Sequence, residues 1–202
     1  VNVGAGNLTI QADAVNLAGA ANSIQGTGSV FLQPQSTARP IVLGAVGAAS
    51  DFALTSAEVA TLKDGFSGIT IGRSDGQHSI SIDPLTFNDP ITIRAPGAAG
   101  VVTLNGALAA STGNDLTLVA GDRFINTAGS AALAVSGSGR FLVYSQDPAQ
   151  NTLDGLQADF SQYSITYPTV PNQSGNGFLY SVAAPVSPAQ NQTAGMFAFL
   201  AA

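Results

Sequence analysis

Three sets of residues in this chain are of types that could do chemistry. His78 is the only histidine and cysteine is absent, so a zinc centre would have to rest mainly on carboxylates, against the preference of zinc for imidazole and thiolate. No metal-binding or catalytic role is expected of His78. The run Gly72-Arg73-Ser74-Asp75-Gly76 matches Gly-x-Ser-x-Gly, the pattern that presents a nucleophilic serine for acyl transfer with a histidine base. Such an elbow needs a helix after the serine, whereas an apolar alternation starts at Ile80, so the run reads as a tight turn. Asp75, Asp83 and Asp89 lie close in sequence, and paired carboxylates facing one another across a groove hydrolyse glycosidic bonds. Two of the three precede proline, the structural use of aspartate in which the carboxylate bonds its own turn backbone. Turns are therefore expected at all three, and a polysaccharide-binding or polysaccharide-degrading alternative would require them to converge on one exposed groove with aromatic walls. Ser136-Gly137-Ser138-Gly139 lacks the lysine and following helix of a nucleotide cradle, and no alternating Asp/Asn calcium ladder is present. The reading assigns no catalytic residue, metal ligand or cofactor, and leaves ligand-binding residues open.

The elements that carry these residues are set by a four-fold echo. Ile69/Ile71, Ile80/Ile82, Ile91/Ile93 and Val102/Leu104 repeat an apolar-polar-apolar unit every 11 residues, the period-two pattern of half-buried strands in a stacked repeat. A spacing of 11 is too short to enclose a core. Two strands per coil and a rung of about 22 residues follow, within the range of solenoid repeats. The fold class expected from the spacing is all-β, a parallel β-helix (β-solenoid) with one short helix and a C-terminal cap, its right hand being implied only by the resemblance given below.

Composition agrees with that architecture and restricts function. Only 9% of residues are charged, against about 25% in ordinary globular proteins, so Asn, Gln, Ser, Thr and Gly must cover the surface. In a stack with strands about 4.8 Å apart, charge ladders repel while amide and hydroxyl ladders hydrogen-bond. A net charge of -6 and scattered arginines argue against nucleic acid or an anionic membrane as partner. No run reaches the length of a transmembrane helix, and Val1 opens the chain without a leader pattern, so a fragment of a longer protein is expected.

Along the chain, Leu8/Ile10, Val15/Leu17, Ile24, Val30/Leu32 and Ile41/Leu43 read as strands, with glycines at the corners. Residues 51–66 break the pattern: Thr55-Ser56-Ala57-Glu58 is a capping box, Val59 and Leu62 have helical spacing, and Gly65 is placed to end a helix covering one side of the coil. Regular strands resume from Ser67 to Ser145, through Leu116/Leu118, Leu133/Val135 and Phe141/Val143. Residues 1–145 are thus expected to form the β-helix and residues 146–202 a cap or extension on its last rungs, since an open end exposes unpaired backbone and core. Phe160, Tyr163, Tyr167, Phe178, Tyr180, Phe197 and Phe199 concentrate there, as the core of a cap rather than a sugar platform. Asn7-Leu8-Thr9, Asn172-Gln173-Ser174 and Asn191-Gln192-Thr193 match the glycosylation acceptor pattern, which arises easily by chance in so Asn- and Thr-rich a chain.

Gly113-Asn114-Asp115-Leu116-Thr117-Leu118 through Phe124-Ile125-Asn126 carries a resemblance, and Gly139-Arg140-Phe141-Leu142-Val143-Tyr144-Ser145, Asp147-Pro148 and Asn151-Thr152-Leu153 carry it further. With Leu54-Thr55-Ser56-Ala57-Glu58 and Gly65-Phe66-Ser67-Gly68-Ile69-Thr70-Ile71-Gly72-Arg73-Ser74-Asp75-Gly76, these phrases resemble large exoproteins of the filamentous haemagglutinin type, over about residues 29–180. The resemblance implies a right-handed parallel β-helix exported by two-partner secretion from a Gram-negative bacterium, through an outer-membrane transporter. It implies a secreted or cell-surface adhesin, non-enzymatic, for attachment, aggregation or biofilm formation, with a host or bacterial surface glycan or protein as partner; separately, exposed strand faces or an uncapped end would permit self-association. The secretion-domain phrase Asn-Pro-Asn-Gly is missing, which would place this piece along the shaft or at its distal end.

Overall fold

The computed structural model describes residues 1–185. Its strands form three sheets in which every pairing is parallel. The first sheet runs β1 (Leu8–Gln11), β2 (Ser29–Gln33), β5 (Gly68–Ile71), β8 (Ile91–Ala95), β11 (Leu116–Ala120), β14 (Phe141–Ser145), β16 (Gly177–Tyr180) and β15 (Phe160–Gln162). In the second the order is β4 (Phe52–Thr55), β3 (Ile41–Gly44), β6 (Ser79–Ile82), β9 (Val101–Leu104) and β12 (Arg123–Asn126). β7 (Leu85–Phe87), β10 (Leu108–Ala110) and β13 (Leu133–Ala134) make the third.

From Gly68 the chain visits the first, second and third sheets in that order three times before entering β14. Ile69 registers with Ile91, and Ile80 with Val102, at the expected step of 22 residues. The expectation of two strands per repeat is corrected to three. The 11-residue echo joins the first sheet to the second and skips the third, because β7 and β10 have only three residues each and hide inside alternate 11-residue gaps. Each third-sheet strand begins just after a corner: Pro84 forces the chain to turn after β6 and leaves Leu85 and Phe87 pointing inward.

Inward residues stack in columns: Val30, Ile69, Ile91, Leu116 and Phe141 in the first sheet, Ile41, Ile80, Val102 and Phe124 in the second, Leu85, Leu108 and Leu133 in the third. All are buried in one continuous aliphatic core. Each such side chain contributes roughly 1.5–3 kcal/mol on leaving water, which is how a chain without disulfides or charge networks holds together.

Residues 51–66 fold differently from the expected helix. Phe52–Thr55 is a strand, β4, which pairs with β3 on the side away from β6. The capping box forms as read: Thr55 Oγ1 accepts from the Glu58 amide while the Glu58 carboxylate accepts from the Thr55 amide at 2.8 Å. The helix it opens, α1 (Ser56–Val59), has one turn and stops well before Gly65. It stops because Thr61 and Lys63 bond the backbone of Ile24 at 2.9 and 2.8 Å, which draws the chain into an isolated parallel bridge. Val15 and Leu17 do not form a strand either: the Leu17 amide donates instead to the Glu58 carboxylate at 3.1 Å.

Beyond Ser145 the chain keeps adding to the same sheets. Thr152 bridges Ile125 at the end of the second sheet, and β16 pairs with β14 in the first, with β15 on its far side. Residues 163–169 then cross the outer face of the first sheet, where Ile165 and Tyr167 cover Val119, Leu142, Tyr144 and Leu179.

Candidate functional site

His78 sits on the corner between β5 and β6, with 1% of its surface exposed. Its ring nitrogens reach two different rungs: Nδ1 lies 3.2 Å from the Thr37 carbonyl and Nε2 3.2 Å from the Arg94 carbonyl. A neutral imidazole donates to only one of them. Burial holds its pKa below the ordinary value, opposed by the two carbonyls and by Asp75, while Arg73 reinforces it. The tight fit depends on Gly72, whose φ of +97° suits glycine and whose Cβ, if present, would strike the Arg94 carbonyl and the His78 ring. His78 therefore sits where three successive passes of the chain meet and, when neutral, ties its own pass to one neighbour while the other nitrogen faces the second carbonyl.

The Gly-x-Ser-x-Gly stretch is a turn at Ser74-Asp75, closed by the Gly76 amide donating to the Arg73 carbonyl at 3.3 Å. Ser74 is exposed and the ring of His78 faces other partners. Asp75 is held by Arg73 at 2.8 Å, and that hydrogen bond lowers its pKa.

The three aspartates do not converge. Asp75 lies between β5 and β6, Asp83 between β6 and β7, and Asp89 between β7 and β8, so a strand separates each from the next. Asp89 also differs from the self-bonding turn that its Asp-Pro sequence suggests. Its carboxylate is buried and accepts from the Gly65 amide at 2.8 Å, 24 residues away, anchoring the end of the 51–66 excursion. Burial raises its pKa. Among the described residues no group of three or more His, Asp or Glu is placed to hold a metal ion.

The aromatics of the C-terminal stretch are packing residues. Phe178 packs against Phe141 with centroids 6.2 Å apart and planes tilted by 49°, Tyr163 against Tyr180 at 5.2 Å and 46°, and Tyr167 meets Tyr144 edge-on at 5.5 Å. The Tyr144 hydroxyl donates to the Thr169 carbonyl at 2.8 Å, tying the crossing segment to the sheet. Phe197 and Phe199, like Asn191, lie outside the described residues. Of the other acceptor sites, the Asn7 side chain accepts from the Ser29 amide at 2.9 Å, a structural use.

What the stack presents outward is a set of neutral ladders. Thr70, Thr92 and Thr117 stand in register on three consecutive strands of the first sheet, half-exposed. Gln33 donates to Gln11, Asn105 to Ser81 and Ser111 to Asn88, each across one rung at 2.8–3.2 Å. Ser29 pairs with Ser67, and Thr112 with Ser136, at 2.9 and 3.1 Å. A ladder of this kind supplies repeated, weak, uncharged donors and acceptors at the strand spacing. Sequence reasoning anticipated the ladders from composition but not their register. No family model, curated protein or solved structure matches this chain.

Proposed function

We propose that this chain is a length of right-handed parallel β-helix from a secreted or surface-held protein, and that it works as a non-enzymatic adhesive segment. The observation that carries this reading is the repeated first, second, third order of the parallel sheets, with outward ladders of Thr, Ser, Asn and Gln in register. Crossovers between parallel strands of one sheet are right-handed in about 98% of cases, which favours that hand for the winding. The stack offers a rigid ridged surface, and ligand contacts repeated along it would add by avidity. Its partners would be a glycan or protein on a host or bacterial surface, with an outer-membrane transporter exporting the parent protein, as the resemblance to filamentous haemagglutinin-type exoproteins implies.

The polysaccharide-cleaving alternative is supported less, since its three aspartates occupy separate corners. The test is binding of the purified chain to a glycan array and to host and bacterial cells, alongside sedimentation at rising concentration. Saturable binding that weakens when Thr70, Thr92 and Thr117 are replaced together by Lys supports the adhesive reading. No binding to sugars, to cells or to itself overturns it.

A further inference from the structure

Phe31 departs from the rule that the other aromatic residues keep. Every other phenylalanine and tyrosine among the described residues packs in one of two apolar clusters, whereas Phe31 belongs to neither and pairs with no other ring. It lies on β2 between the buried Val30 and Leu32, so the alternation of the strand turns its ring to the outer face of the first sheet, where it is half-exposed. The segment that covers this face packs on Val119, Leu142 and Tyr144, and β11, which carries Val119, is three strands further along the sheet.

The surroundings of the ring are polar and neutral. Thr9 and Thr70 stand in register on either side of it, and Ser29 and Gln33 flank it along its own strand. Gln33 spends one N–H on Gln11 at 3.2 Å, which holds the amide in place and leaves its second N–H and its oxygen for a ligand. No ionisable side chain is among these neighbours. On the next two rungs the arginines are committed elsewhere, Arg73 to Asp75 at 2.8 Å and Arg94 to the Gly72 carbonyl at 3.1 Å.

A flat apolar ring fringed by groups that both donate and accept suits a pyranose, which presents an apolar C–H face and a rim of hydroxyls. A sulfated or acidic sugar finds no counter-charge here, and a stable protein interface needs a wider apolar centre than one ring. The column continues from Thr70 to Thr92 and Thr117 at the strand spacing, so a linear chain lying along the stack meets a hydroxyl on each rung.

We infer that the outer face around Phe31 is a binding site for a neutral polysaccharide, with one sugar stacked on the ring and its hydroxyls bonded by Gln33, Thr9 and Thr70. The inference rests on the adhesive reading and deepens it, naming the class of ligand and the place where it docks.

The test titrates cellohexaose, chitohexaose and β-1,4-mannohexaose into the full chain labelled with ¹⁵N, with a heparin hexasaccharide as the charged control. Saturable shifts at Thr9, Phe31, Gln33 and Thr70 are expected with at least one neutral sugar and not with heparin. Phe31→Ala should weaken that binding about tenfold, while Phe31→Tyr retains it. Because the ring lies outside the core, Phe31→Ala should leave the melting temperature unchanged. If it perturbs the fold, Gln33→Ala takes its place, with a loss of several-fold expected. The inference is overturned by no saturable shift with any of the three neutral sugars, by binding that these substitutions leave intact, or by a preference for heparin. It is overturned too if Phe31→Ala abolishes self-association in sedimentation while no sugar binds, which would make the face an interface between copies. In each of these cases the adhesive reading survives if the chain still binds cells or itself, and it fails only when sugars, cells and self-association are all negative.

Discussion

Thr92 and Leu142 occupy the same outward column of the first sheet, one at its middle and one near its C-terminal end: Thr70, Thr92, Thr117 and Leu142 follow one another in register. In the middle the outer face meets solvent, and β8 alternates buried and half-exposed residues. At the end residues 163–169 cross the sheet, and every residue of β14 is buried. The same backbone position thus takes threonine or leucine according to whether the chain returns over it. A continuous apolar strand such as Phe141-Leu142-Val143-Tyr144 marks cover on both faces, and an alternating one marks cover on one.

The strongest way to break this comparison is to attack what both regions share. Ile80→Asp places an unpaired charge in the common core, where Ile80 is 1% exposed. It should cost more than about 4 kcal/mol and abolish the cooperative melt followed by circular dichroism. A variant that kept its fold and melting temperature would remove Ile80 from the core. Next, Gly72→Ala should destabilise by a few kcal/mol, from a positive φ and a collision with the Arg94 carbonyl together, read as a lower denaturation midpoint. If that midpoint stays put, the three-rung corner at His78 is looser than described.

Two truncations sharpen the contrast itself. Leu142→Ala should cost about 2–4 kcal/mol because the crossing segment seals the site, whereas Thr92→Ala should stay within about 0.5 kcal/mol. Urea denaturation of both variants compares them directly, and equal costs would mean that the outer face at the C-terminal end is not a second core.

The smallest effect expected is on pH dependence. Burial depresses the pKa of His78 in the folded state below its ordinary 6.5, so below that value the unfolded chain binds the proton more readily. The contribution of His78 to stability is therefore complete above 6.5 and declines as the pH falls from 6.5 towards its folded value. His78→Gln should flatten this part of the stability profile. A profile equally steep in the variant would assign the dependence to the carboxylates instead.

Much of the fold could be read in the sequence because strand burial has a period of two and the stack repeats it. The step of 22 residues, the corners at Asp83-Pro84 and Asp89-Pro90 and the capping box at Thr55 and Glu58 are local patterns, and each stands where it was read. Of the third sheet only β13 was read, at Leu133; β7 and β10 were illegible because strands of three residues do not sustain an alternation long enough to detect. The short helix was read but its length was overestimated and the strand β4 was missed, since both depend on partners, Ile24 and β3, that are distant in sequence. At the candidate site the sequence indicated that Asp75, Asp83 and Asp89 belong to turns. It could not indicate that Asp89 anchors Gly65, because that bond spans 24 residues.

Composition and period by themselves determined that this chain builds stacked parallel strands with an aliphatic interior and a neutral polar exterior. Those properties follow from the chemistry of each residue and its nearest repeats. Tertiary structure alone decided how many sheets share the core, which outer faces the chain covers for itself, where His78 and Asp89 spend their hydrogen bonds, and that α1 rather than a strand lies beside β7. Each of these is set by contacts between residues far apart in the chain, and the geometry of closure that brings them together is not written in any local pattern.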